Sequence, residues 1–351
     1  MVLEEKKIKI GKRFIGKAEP VFIIAEVGSN HDGSLIRAKE LINASKDAGA
    51  DAVKFQSFTA EGLINPLRPE NGVWRLHPAY PVIERLALPR DWHFELKGHA
   101  DSLGIMFISA PFDVERAALL DEVGVEVFKL ASGELTNEGL IAQVAAYKKP
   151  MIISTGAAFL AEVERAIEIA NSNGCFDVAL LHCVSLYPPS FEHMNLRSMV
   201  TMREAFGLPV GCSDHTQGSA IPIAAVALGA SIIEKHITSS RKLEGPDHPY
   251  ALEVQEFASM VKDIRHIEKA MGSGVKRPSA PEMGERVGAR RSIYAAEDIE
   301  AGALLTPRML KVVRHAYGLL PSDIGRVIGM RARKKIMAHH PIKWEDIESN
   351  A

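Results

Sequence analysis

The chain has 351 residues, 46% hydrophobic and 25% charged, with a formal charge of −2. Such a composition belongs to a globular protein with a sizeable core, either one large domain plus a small one or two domains. The near-neutral charge gives no electrostatic case for nucleic acid or an anionic membrane as partner.

The N-terminal segment "MVLEEKKIKIGKRF" is charged throughout and lacks the apolar core of a signal peptide. Its basic residues, like "RARKK" at 331–335, read as solvated faces. Cys175, Cys183 and Cys212 do not make a disulfide framework, and a reducing cytoplasmic setting is expected. The longest apolar stretch, around Ile221 to Ile233, is too short and too rich in small residues for a membrane span.

Short apolar runs then recur along the chain. "VFIIAEVG" (21–28), "AVKFQ" (52–56), "IMFISAP" (105–111) and "EVFKLASG" (126–133) predict four strands. "PMIISTG" (150–156), "VALLHCVS" (178–185), "PVGCSDH" (209–215) and "SIIEKHI" (231–237) predict four more. Near-continuous apolar runs mark parallel strands covered on both faces. Amphipathic segments such as "SLIRAKELINASKDAGA" and "LAEVERAIEIANSNG" lie between them, several ending in glycine. Eight strand–helix units predict a (β/α)8 barrel, a TIM barrel, over residues 1–271. A doubly wound sheet is the alternative, but no Gly-rich dinucleotide fingerprint follows the first strand.

Residues 57–89 carry Pro66, Pro69, Pro78, Pro81 and Pro89, and read as a long loop serving as a lid. After a final helix from about Leu252 to Met271, "GSGVKRPSAPEMGERVG" (272–288) reads as a linker. The segment 289–351, with "RSIYAAEDI", "LKVVR" and "PIKWEDI", reads as a small β-rich domain.

In such a barrel the catalytic groups sit where strands end. Polar residues fall there on all eight: Glu26; Lys54 and Gln56; Ser109; Lys129, Ser132 and Glu134; Ser154 and Thr155; His182, Ser185 and Tyr187; Ser213, Asp214 and His215; Glu234, Lys235 and His236. The serines have an ordinary reading as helix caps, and His182 as a hydrogen-bonded core histidine. Lys54 and Lys129 in apolar runs are harder to dismiss, because lysine is almost never fully buried unless paired. Two lysines among hydroxyls suit a ligand carrying phosphate and carboxylate. His215 and His236, on neighbouring strands, read as a metal pair or as two separate structural histidines. An open octahedral site would suit Mn²⁺. Glu26, Glu234 and Asp247 are the carboxylates available for substrate hydroxyls or proton transfer.

The ordered set "IIAEVGSNHDGS", "ADAVKFQ", "FKLASGE", "ISTG", "YPP", "GCSDHT", "EKHIT" and "GPDH" resembles the sialic acid synthase family, which includes N-acetylneuraminate, pseudaminate and legionaminate synthases. From "ARRSIYAAEDIEAG" onward the chain is similar to the antifreeze-like (SAF) domain of these enzymes. The resemblance implies a domain-swapped homodimer and condensation of phosphoenolpyruvate with an N-acylated amino-sugar aldehyde, N-acetylmannosamine first, giving a nine-carbon 2-keto acid and phosphate.

By position, it makes His215 and His236 the ligands of a divalent metal, Mn²⁺ with Mg²⁺ or Co²⁺ as substitutes. Lys54, Lys129, Ser132, Ser154 and Ser213 fall where the family grips phosphoenolpyruvate. Glu26, Gln56, Tyr187 and Asp247 fall where it holds the sugar, and Arg314 matches an arginine that reaches across the dimer. Glu26, Lys54, Lys129, Glu134 and Glu234 are the catalytic candidates. Ser185 stands where N-acetylneuraminate synthases carry asparagine, and "RHA" where the SAF domain reads "RPG". Both departures touch the sugar end, so a di-N-acetylated 6-deoxy hexose is the alternative acceptor. Two rivals remain: a Schiff-base aldolase using Lys54 or Lys129, and a non-catalytic sugar-binding protein.

Overall fold

A computed structural model describes residues 6–349. Residues 1–5 and 350–351, which the sequence reading assigned to the barrel and the SAF domain, lie outside the described residues. The chain divides into two compact units, Met1–Gly272 and Ser273–Ala351.

The first unit opens with an antiparallel hairpin, β1 (Ile8–Ile10) and β2 (Arg13–Ile15). Its basic residues were expected to be solvated, and Lys6, Lys7, Lys9 and Lys12 are exposed. Ile8, Ile10 and Ile15 are buried because alternation puts all three on one face, and Gly11 (φ +57) allows the tight turn.

The barrel strands follow: β3 (Phe22–Glu26), β4 (Ala52–Ser57) and, after an inserted hairpin β5 (Leu67–Glu70) and β6 (Val73–Leu76), β7 (Met106–Pro111) and β8 (Phe128–Leu130). β9 (Met151–Ser154), β10 (Val178–Cys183), β11 (Val210–Asp214) and β12 (Ile232–Thr238) complete the eight expected strands. They pair in parallel in the order β7-β4-β3-β12-β11-β10-β9-β8, and the end strands β7 and β8 lie against each other. Helices such as Leu35–Asp47, Val114–Val123 and Leu160–Ser172 cover the outside. The (β/α)8 barrel is therefore the observed fold.

The expected loop at 57–89 is largely ordered structure. It contains helices Ala60–Leu63 and Tyr80–Leu86 around β5 and β6. Asn71 and Gly72, both at positive φ, make the hairpin turn.

The inward faces of most strands read apolar at their start and polar at their end. Phe22, Ile24, Ala52, Ile108, Val127, Ile152, Ala179, Leu181 and Ile232 join Ile8, Ile10 and Ile15 in one inner core, so the hairpin plugs the barrel's lower mouth. The outward residues form the larger core with the helices, including Ile23, Val53, Phe55, Phe107, Phe128 and Ile233. Ile10→Ala, which empties part of the plug, is expected to destabilise the protein by about 2–5 kcal/mol. The shift would be read from the urea unfolding midpoint.

In the second unit, β14 (Arg291–Ala295) and β15 (Leu310–Arg314) pair antiparallel, as do β16 (Arg331–Ala332) and β17 (Ile347–Glu348); the numbering counts the short β13 (Leu252–Glu253) of the barrel unit. Ile293, Ile299, Leu305, Val327, Ile336 and Ile342 form its own core. A 3-10 turn at Pro281–Met283 and a short helix at Glu285–Gly288 lie in the segment expected to be a linker. Among the described residues no helix is long and apolar enough to cross a membrane.

Candidate functional site

Where the inward faces turn polar, the barrel holds a cavity of about 600 Å³. Glu26, Lys54, Gln56, Lys129, Ser132, Ser154, Ser185, Tyr187, Ser213, His215, Glu234, His236 and Asp247 all line it. Thirteen of the fifteen residues to which the family resemblance gives a catalytic, binding or metal role thus meet in one cup.

The two-residue period of the strands decides which neighbours enter. Ser213 and His215 face the cavity, whereas Asp214 between them pairs with Lys235 at 2.6 Å behind the strands, both side chains fully buried. The sequence reading put all of Ser213, Asp214, His215, Glu234, Lys235 and His236 in one ring; alternation sends Asp214 and Lys235 out of it. Ser109 is also absent from the cup. It meets Ser57 Oγ at 2.7 Å, and Ser57 in turn meets His93 Nε2 at 2.7 Å. His182 Nε2 bonds Met194 O at 2.6 Å, as a core histidine should.

Glu134 does not line the cavity; its Oε2 accepts from Asn137 Nδ2 at 2.9 Å. Arg314 lies in the second unit, exposed at the end of β15, paired in register with Arg291.

At the centre, four buried charges form a network. Lys54 Nζ lies 2.8 Å from Glu26 Oε2 and 3.5 Å from Glu234 Oε1. Lys129 Nζ donates to Ser154 Oγ at 2.7 Å and to Leu130 O at 3.0 Å, and lies 3.8 Å from Glu234 Oε2. Burial pushes the Glu26 carboxyl up to about 7 although Lys54 pulls against it, and the nearby Glu234 adds to the rise. Burial opposes ionisation of Glu234 too, but Lys129 and Lys54 outweigh it and hold that carboxyl at about 2. Desolvation also disfavours charged Lys54, yet Glu234 and Glu26 keep it charged, at about 12. Burial lowers Lys129. With Glu26 partly protonated near neutral pH, the two lysines outweigh the carboxylates within this four-residue network.

Three serines ring the lysine side. Gly156 N donates to Ser132 Oγ at 3.0 Å, and a Cβ at Gly156 would come within 2.7 Å of that oxygen and also collide with Ser185 Oγ. Glycine here lets the ends of β8, β9 and β10 close together. Ser213 Oγ donates to Glu234 Oε1 at 3.1 Å.

On the opposite side His215 and His236 stand with ring centroids 5.3 Å apart. Burial lowers them to about 3 and about 4, so both are neutral imidazoles with free lone pairs. His236 Nδ1 is buried without a hydrogen-bond partner, 3.9 Å from Asp247 Oδ2. His215 Nδ1 has a weak contact of 3.8 Å to Cys183 Sγ. Among the described residues no group of three or more His, Cys, Asp or Glu could hold a metal ion, so an ion on this pair would take its other ligands from water or substrate.

Sequence reasoning missed several lining residues. Tyr250 donates to Asp247 Oδ1 at 2.6 Å, and Leu63 and Phe112 supply an apolar part of the lining. Gln56 itself donates to Glu26 Oε1 at 2.8 Å. Leu63 and Phe112 come just after the ends of β4 and β7, whereas Tyr250 is brought in by a loop that nothing local in "HPY" announces.

Comparison with known proteins places this cup in context. The model of the NeuB family matches residues 41–276, and that of the SAF domain matches residues 290–348. The N,N'-diacetyllegionaminic acid synthase of Legionella pneumophila is 40% identical over 343 residues, covering 95% of this chain and 96% of that one. The pseudaminic acid synthase of Helicobacter pylori is 35% identical, covering 94% and 98%. The crystal structure of N-acetylneuraminic acid (sialic acid) synthetase from Leptospira borgpetersenii superposes with a TM-score of 0.74 at 36% identity, over 80% of this chain and 95% of that one.

Proposed function

The chain belongs to the NeuB family, and we propose that its barrel condenses phosphoenolpyruvate with the open-chain aldehyde of an N-acylated amino sugar, giving a nine-carbon 2-keto acid and phosphate. The observation that carries this reading is the pairing, in one cup, of two buried lysines among serine hydroxyls with two neutral histidines across from them.

Lys129, Ser132, Ser154 and Ser213 suit the phosphate and carboxylate of the enol substrate. C3 of the enol phosphate forms a bond to the aldehyde carbon, whose oxygen takes the proton that the attacking water loses through Glu26. Water adds to C2 and gives its proton to Glu26, a carboxylate held near the working pH. The C2–O bond to phosphate then breaks as the C2 hydroxyl gives its proton to the departing phosphate and becomes the ketone. Lys54, between Glu26 and Glu234, offsets the charge on both carboxylates. His215 and His236 fit a divalent ion, Mn²⁺ by donor type with Mg²⁺ or Co²⁺ as substitutes. When bound, such an ion supplies positive charge for a carbonyl oxygen. The reading extends to a domain-swapped homodimer that brings Arg314 to the sugar of the other subunit, supported by the SAF match.

Two acceptors are in play, N-acetylmannosamine and a di-N-acetylated 6-deoxy hexose. The apolar lining of Leu63 and Phe112 favours the second, which carries more methyl groups to cover it. A Schiff base at Lys54 is disfavoured, because Lys54 is held as a cation by Glu234 and Glu26.

Phosphate release from phosphoenolpyruvate would be assayed with each sugar and Mn²⁺, with and without chelator. Metal-dependent release is expected with both, with kcat/KM about tenfold higher for the deoxy sugar. Release undiminished by chelator would remove the metal from the reading. No release with either sugar would overturn the reaction.

A further inference from the structure

Asp247 is the carboxylate that a sugar hydroxyl meets under the proposed function, on which this inference rests. Its seat is built by residues that the reaction does not use. The loop 239–251 leaves the barrel after β12 and returns to pair Leu252 with Ile237. Within it Asp247 Oδ2 accepts from Ser29 N at 2.9 Å and Ser29 Oγ at 2.7 Å, while Oδ1 accepts from the Tyr250 hydroxyl at 2.6 Å. The turn carrying Ser29 runs so close that a Cβ on Gly28 (φ +54) would lie 2.6 Å from Asp247 Oδ2 and 2.9 Å from His236 Cε1.

Tyr250 is only 2% exposed. Its ring meets His236 edge-on at 5.0 Å and His215 at 5.9 Å. His248 pins the same loop separately, with Nδ1 2.7 Å from Thr238 Oγ1 and Nε2 3.0 Å from Asp32 Oδ1. Removing the Tyr250 hydroxyl therefore leaves the loop anchored and frees one carboxylate oxygen. The Asp247 side chain keeps 17% of its surface exposed, enough to accept a further hydrogen bond.

We propose that Tyr250 is a positioning residue that fixes the rotation of the Asp247 carboxylate and so sets affinity for the amino-sugar acceptor. Serine 29 holds one oxygen and Tyr250 the other; with both engaged, the carboxylate reaches a sugar hydroxyl already oriented, and binding does not bear the cost of ordering it.

The test is Tyr250→Phe, which keeps the ring and the cage. Acceptor binding would be measured by titration calorimetry on the full-length protein with Mn²⁺, using N-acetylmannosamine and the di-N-acetylated 6-deoxy hexose, and acceptor KM by phosphate release. The expected result is about tenfold weaker acceptor binding and a matching rise in acceptor KM, with the KM for phosphoenolpyruvate within about twofold, since a hydrogen bond to a charged group carries that much. In the Asp247→Ala background the same change should add nothing. Unchanged acceptor affinity overturns the inference, as does an effect that persists without Asp247 or that spreads equally to phosphoenolpyruvate. A wild-type protein that binds the sugar without releasing phosphate sinks the proposed reaction alone; weaker binding by Tyr250→Phe would still uphold this inference. A wild-type protein that binds neither sugar sinks both.

Discussion

Lys129→Met is expected to lower kcat/KM for phosphoenolpyruvate by on the order of 10²–10³ while leaving the barrel folded. Lys129 is 2% exposed, bonded to Ser154 Oγ and Leu130 O, and close to Glu234. Its ammonium is already stripped of water, so its attraction for an incoming phosphate is not spent on displacing a hydration shell. Methionine fills nearly the same space without the charge. Glu234 then keeps Lys54 as its remaining cation, so no carboxylate is left buried alone. The unfolding midpoint should accordingly move little while the phosphoenolpyruvate KM climbs. A variant with wild-type KM for phosphoenolpyruvate would mean that the anion sits elsewhere. A variant that fails to bind the enol phosphate but still traps pyruvate under borohydride would point to Schiff-base chemistry at Lys54.

The same buried lysines show what sequence reading can reach. Each barrel strand was legible because its apolar run is nearly unbroken, and a charged residue inside such a run stands out. The apolar-to-polar switch along most inward faces, as in Phe22, Ile24, Glu26 or Ile232, Glu234, His236, follows from period two and was there to be read. Listing every polar residue at a strand end ignored that period, and so Asp214, Lys235 and Ser109 were counted into the cup. The N-terminal hairpin was legible too: Ile8, Ile10 and Ile15 flank a Gly11 turn, but the lysines between them drew the eye to charge. In 57–89 the prolines suggested loop, although Asn71–Gly72 is the strongest short hairpin signal in the chain. Tyr250 was out of reach for a different reason. Asp247, the carboxylate it holds, meets Ser29 218 residues away, and no local pattern encodes where a loop comes back.

Glu26→Gln is expected to be the other severe variant, with a loss on the order of 10²–10⁴ in kcat, the range of a lost general base. Burial holds the Glu26 carboxyl at about 7, so wild-type kcat/KM should rise through neutral pH as Glu26 ionises, and the glutamine variant should lack that limb. The same shift has a stability consequence of definite sign. The folded value lies above the ordinary 4.5, so the folded state holds this proton more tightly; the stabilisation is full below pH 4.5 and is lost as pH rises through 7. A displacement of that size is worth about 3 kcal/mol. Glu234 acts oppositely: held at about 2, it contributes above pH 4.5 and loses that contribution only as pH falls towards 2. Between pH 5 and 8, then, Glu26 alone of the pair changes the balance. Urea unfolding of chelator-treated protein would read it free of any divalent charge beside His236, which pairs in register with Glu26. Wild type should lose about 3 kcal/mol more than Glu26→Gln across that window. If the two proteins show the same pH dependence, Glu26 is not the group poised near neutrality, and the proton from the attacking water must go to another acceptor in the cup.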